Sequence, residues 1–181
     1  KLSTGKQVKA FQKVHQNGIT SISFSSDQHS LLTTGFDNNL HILGLKSGRI
    51  LKEFRGHTSY VNSALWIDES LILSGGHDGS LKVWDVQRVE CLFSLIPTGE
   101  QALSPPPIRS ICKYFTPETK GADDSFYLIT TQSSKLHLFS LLKRAFIQTI
   151  PVSIKAQSHL VFSALRKSFI FFSFFFRILL T

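Results

Sequence analysis

The chain has no methionine, only two cysteines, and twelve acidic residues against twenty basic ones. Each shortage excludes something. With no methionine and a start at Lys1, the sequence reads as a fragment of a longer product. Cys91 and Cys112 form no close-spaced pair, which argues against a disulfide scaffold and a zinc site and suits a reducing compartment with two free thiols. The scarcity of acids is local. Lys1, Lys6, Lys9 and Lys13 precede the first acid, Asp27, while Arg166, Lys167 and Arg177 sit in an acid-free tail. Setting those seven aside leaves about +1 of the formal +8. No dense basic face remains, and aromatic residues do not interleave with a basic stripe, so direct nucleic-acid binding is not expected. The longest apolar run, Phe169 to Leu180, falls short of the about 20 residues of a spanning helix and is broken by Arg177, so no membrane anchor is expected.

What is present is a repeated unit, clearest from Arg55 to Asp85: RGHTSYVNSALWIDESLILSGGHDGSLKVWD. A Gly-His pair precedes two strand-like runs, Val61 to Ile67 and Ser70 to Ser74. A turn at Gly76-His77-Asp78-Gly79 leads to a third run that ends in Trp84-Asp85. That order and spacing is the WD-repeat signature of a β-propeller blade, so the expected fold class is all-β, a partial WD-repeat propeller whose ring is not closed. Polar groups inside a blade must be paired. His57, Ser74, Asp78 and Trp84 are expected to link in series. The aspartate accepts from the histidine, the histidine donates onward, and the serine bridges to the indole N–H. A catalytic Ser-His-Asp reading is set aside, because repeat spacing explains all three residues and no nucleophile elbow is present.

The same unit recurs along the chain. His15 lies 42 residues before His57, and Asp37 lies 41 before Asp78. The blades are expected over about 15–54, 57–95 and 108–150, with a partial one over 159–172 and a Phe-rich tail over 166–181 that is a buried strand or non-native sequence. Residues 1–14 read as the outer strand of a preceding blade, carried by Val8 to Phe11. The first blade keeps His15, Thr33 and Asp37 but has Leu43 in the place of Trp84, so its polar chain should stop at the threonine. In the third, Ser133 replaces the turn aspartate and Phe139 the tryptophan, leaving apolar packing alone. Pro97 to Pro107 reads as an extended inserted loop.

The segment Gly44 to His57, GLKSGRILKEFRGH, resembles the WD-repeat domain of Smu-type splicing factors. So do its flanks, Val14-His15, Gly18 to Thr20, Leu31 to Asp37 and His41 to Asn62. The resemblance covers residues 1–95 well, 108–165 weakly and the tail not at all. It implies a nuclear protein of the precatalytic spliceosome whose propeller is a protein-binding platform, with the Red (IK) splicing protein as companion. The family also carries a dimerisation and partner-binding region ahead of the propeller. The competing reading is a WD-repeat adaptor outside splicing, such as a ubiquitin-ligase substrate receptor or a trafficking scaffold. On either reading Phe36, Tyr60, Asn62 and His77 are expected on the partner-facing rim. An enzyme is not expected. The Gly75 to Gly79 stretch lacks a phosphate-loop lysine, no carboxylates pair, and the histidines are scattered, so no cofactor or metal is implied.

Overall fold

The computed structural model describes residues 5, 7, 9–97, 104–114, 125–133 and 135–151, with the backbone of strands at 159–163, 168–172 and 177–179. No helix occurs among the described residues. Blade 1 comprises Ile19–Phe24 (β1), Ser30–Gly35 (β2), Leu40–Gly44 (β3) and Ile50–Phe54 (β4). Blade 2 comprises Val61–Trp66 (β5), Leu71–Gly76 (β6), Leu81–Asp85 (β7) and Glu90–Leu95 (β8). Blade 3 comprises Ile108–Tyr114 (β9), Phe126–Thr131 (β10), Lys135–Ser140 (β11) and Ala145–Pro151 (β12). Each is an antiparallel meander in which sequence neighbours pair. The chain therefore folds as part of a β-propeller.

Alternation explains the core. On β3, Leu40 and Ile42 point towards blade 2, where they meet Val61, Ala64, Ile72 and Trp84, with Phe54 of β4 completing the layer. Leu73, Leu81 and Val83 of blade 2 face Ile108, Ile111, Tyr127 and Phe139 of blade 3 in the same way. Central strands are covered on both faces, which is why β2 and β6 are buried almost throughout. The other face of blade 1 carries exposed Ile22 and Phe24. Their counterparts in blade 2, Ala64 and Trp66, rest in the layer against blade 1.

The blades join by bonds that repeat with the sequence. Each inner strand has a β-bulge at one position, Thr20 in blade 1 and Asn62 in blade 2. The bulge turns that side chain across the joint. Thr20 Oγ1 donates to Val61 O, and Asn62 Nδ2 donates to Ile108 O at 2.6 Å. A second tie, at two repeat positions, is a lysine clamp. Lys9 Nζ donates to the carbonyls of Leu45 and Lys46 at 2.9 and 2.8 Å, and Lys52 Nζ reaches Val86 and Gln87 at 2.6 and 3.4 Å. At the joint of blades 2 and 3 the clamp position is Phe93, whose ring is met instead by the Arg144 guanidinium at 5.2 Å. Asn62→Ala leaves the buried Ile108 carbonyl without its donor and should cost about 1–2 kcal/mol. An unchanged denaturant midpoint would show that the tie contributes nothing.

Two sequence-based expectations change. Residues 9–11 are not in a strand, since no ladder partner lies beside them; Lys9 nevertheless bonds as Lys52 does. Val8 lies outside the described residues, as do the loop at 115–124 and residues 98–103 of the proline-rich insertion. The Phe-rich run forms two strands rather than one. Ser168–Phe172 (β14) and Arg177–Leu179 (β15) extend a sheet begun by His159–Ser163 (β13). The outer strands carry a second set of bulges, which leave Leu51, Leu92 and Ile147 out of register with β3, β7 and β11. All three are exposed.

Candidate functional site

The turn at the end of β6 builds the polar centre of blade 2. Gly79 adopts a positive φ of 75°, and its N–H closes the turn on Gly76 O at 3.2 Å. Asn38 holds the matching place in blade 1 at φ 67°, a conformation asparagine tolerates. Asp78, fixed by this turn, accepts from Ser80 N at 3.0 Å and from Thr58 N at 3.0 Å. His57 Nδ1 lies 2.9 Å from Asp78 Oδ2, and His57 Nε2 lies 2.8 Å from Ser74 Oγ. Trp84 Nε1 donates to the same serine oxygen at 2.8 Å.

The direction of the chain differs from the sequence-based expectation. A carboxylate only accepts, so Nδ1 carries the proton, and in the neutral ring Nε2 is then an acceptor. Ser74 therefore donates to His57 and accepts from Trp84. Protons point one way throughout, from indole to serine to imidazole to carboxylate. Burial acts to raise the Asp78 pKa, but the hydrogen bonds from His57 and Ser80 outweigh it and hold the carboxyl well below the usual range. Ser74 is fully buried and engaged on both sides, so this triad has no open nucleophile.

Blade 1 repeats the arrangement in shortened form. His15 Nδ1 meets Asp37 Oδ1 at 2.8 Å and Nε2 meets Thr33 Oγ1 at 3.0 Å. The series stops there, because Leu43 has nothing to donate. Burial again opposes, and the His15 and Gln16 bonds again outweigh it, so the Asp37 carboxyl also lies below its ordinary value. In blade 3, Ile129 stands in the place of Ser74, Phe139 is fully buried, and Ser133 Oγ meets Thr131 Oγ1 at 2.8 Å.

The rim residues divide. His77 N bonds Tyr60 O at 2.8 Å, as Phe36 N bonds Gly18 O at 3.2 Å in blade 1. These bonds bring three rings together across the joint. Tyr60 stacks on His77 with centroids 4.3 Å apart, and Phe36 tilts against Tyr60 at 5.2 Å. Phe36 remains 48% exposed. Asn62 does not join them. It sits on the β5 bulge, and its amide is spent on Ile108 O. Sequence reasoning missed Thr20, Lys9 and Lys52 entirely. The spacing of Lys9 and Lys52 by 43 residues, close to the repeat, was the available signal.

Three four-stranded antiparallel blades, a His-Ser-Asp-Trp series in the clearest of them and an aromatic rim make up part of a β-propeller. Comparison with known families agrees: residues 5–42 and 48–85 match the WD40 model, "WD domain, G-beta repeat". Among curated proteins, the chain is 34% identical over 68 residues to the THO complex subunit 6 homolog of Danio rerio, covering 37% of this chain and 21% of that protein. It is 31% identical over 75 residues to WD repeat-containing protein 55 of Danio rerio, covering 41% and 19%. It is 26% identical over 137 residues to small ribosomal subunit protein RACK1 of Neurospora crassa, covering 74% and 39%. The chain thus spans well under half the length of these relatives. It carries WD40 repeats and is similar to WD-repeat proteins of several kinds.

Proposed function

We infer that the protein is a non-enzymatic scaffold for protein–protein contact and that it works in pre-mRNA splicing, in the nucleus, as part of the precatalytic spliceosome. The observation that carries the scaffold reading is the cluster of Phe36, Tyr60 and His77, three rings from two blades held at one rim by matching backbone bonds. Rigid, part-exposed aromatics offer large contact area at low entropy cost, the usual make-up of an interface anchor. The splicing assignment is supported by the likeness of Gly44 to His57 to Smu-type factors, which makes a Red-type splicing protein the first partner to test. The spread of names among the relatives favours one other reading, a WD-repeat adaptor outside splicing.

Tyr60→Ala removes the central ring while leaving both backbone bonds. It should weaken capture of the Red-type protein on the order of tenfold or more, with little change in melting. Undiminished capture by the variant would remove the rim from the interface. Failure of the unaltered protein to capture that partner would remove the splicing assignment and leave the adaptor reading.

A further inference from the structure

His41 lies in the middle of β3 with its side chain buried, its ring stacked on His15 at 4.4 Å and 14° between planes. Its Nδ1 stands 2.7 Å from Val14 O. A carbonyl only accepts, so Nδ1 carries the proton and the neutral ring keeps a lone pair on Nε2. That Nε2 has no hydrogen-bond partner. Glu53 Oε1 lies 3.6 Å away and is itself an acceptor. The bonds that Glu53 receives, from Arg55 Nε at 2.9 Å and Asn39 Nδ2 at 3.3 Å, both fall on Oε1. A buried lone pair and a carboxylate with spare capacity thus face one another with no donor between them.

Blade 2 closes this position internally: Lys82, the counterpart of His41, donates to Ser94 Oγ at 3.0 Å. In blade 3 His137 Nδ1 meets Thr149 Oγ1 at 3.0 Å and its Nε2 is likewise buried without a partner, but Thr149 stands there in the place of Glu53, so the lone pair and the carboxylate come together in blade 1. In blade 1 the pair lines a cleft of about 510 Å³, walled also by His15 and Ile50 and edged by Lys13 and Arg55. The blade 2 counterparts of Glu53 and Ile50, Ser94 and Cys91, are exposed although blade 1 lies against that face, so a blade packed in the same way beside blade 1 would leave these two walls open.

We propose that this cleft binds the guanidinium of an arginine side chain presented by a partner protein. A planar fork of N–H donors spans two acceptors that a single ammonium reaches from one point only. Ile50 offers an apolar wall to the methylene stem. Arg55 already shows the chemistry in cis, with its Nε on Glu53 and its side chain largely exposed. The site is separate from the aromatic rim, and it rests on the scaffold reading only in drawing its ligand from a protein.

The test uses a tripeptide instead of a partner, so it can fail without touching the rim result, and the rim can fail without touching it. Acetyl-Gly-Arg-Gly-amide is titrated into the protein while the His41 ring protons are followed by NMR. A saturable shift at His41 is expected, absent with the citrulline peptide and on the order of tenfold weaker in Glu53→Gln. Glu53 is part-exposed, so this variant keeps the fold, and its unchanged melting provides the control. No saturable shift, an equal response to citrulline, an equal response to acetyl-Gly-Lys-Gly-amide, or an unaffected Glu53→Gln variant would each overturn the assignment.

Discussion

Trp84→Ala should lower the unfolding free energy by roughly 3–5 kcal/mol, the largest loss expected from any single truncation here. The indole is fully buried between blades 1 and 2, edge-on to Phe54 with centroids 5.9 Å apart, and its far edge fills the space where a β-carbon at Gly56 would stand 3.2 Å from it. Removing it opens a cavity at the joint and takes the donor from Ser74. Trp84→Phe separates the two contributions. It keeps most of the volume, as Phe139 does in the third blade, and loses the N–H, so about 1–2 kcal/mol should go. Denaturant midpoints for the pair decide it. If the two variants fall together, the polar bond matters more than packing, and the joint is not held by the ring.

Asp78→Ala is the second large effect. It leaves the His57 proton and the Thr58 and Ser80 N–H groups without their acceptor, and should cost on the order of 1–3 kcal/mol. The carboxyl also makes stability depend on acid. Its folded-state pKa lies below the ordinary value of about 3.9, so the folded chain binds fewer protons than the unfolded one in that range. The contribution is complete above about pH 5 and drains away as the pH falls through the ordinary carboxylate range towards the folded value. Asp78→Asn should flatten that part of the pH profile. A variant that keeps the parent's acid slope would place the coupling elsewhere, with Asp37 the next candidate. Ser133→Ala, at the same turn position in blade 3, should leave both midpoint and slope almost unchanged.

The blades were legible because their strands alternate and their turns carry Asp, Asn and Gly at a fixed period. β1, β4 and β10 fall where the sequence puts them. The members of the polar series were legible for the same reason, since His57, Ser74, Asp78 and Trp84 stand at repeat positions. Its direction was misread there, because a neutral imidazole that gives its one N–H to the carboxylate has none left to donate to the serine. The joints were harder to read, with repeat spacing as their one mark. Asn62 looks like an ordinary polar residue on an inner strand, and only the bulge beneath it turns the amide to the next blade. Lys52 finds backbone carbonyls as its acceptors, and a carbonyl leaves no mark in the sequence. His41 was overlooked because its open lone pair follows from a bond to Val14 that only the folded chain makes.

The displaced residues on the outer strands bear on how the molecule behaves in a crowded solution. An outer strand is where a sheet could recruit a strand from another chain, since one side of its backbone has no neighbour. With Leu51, Leu92 and Ile147 each pushed out of the ladder, an incoming strand meets donors and acceptors that lose step partway along. Growth of the sheet across molecules is therefore interrupted at the same point in each of the three described blades. The edge most exposed to cross-β polymerisation is the one least able to template it, and whatever meets the circumference must do so through side chains.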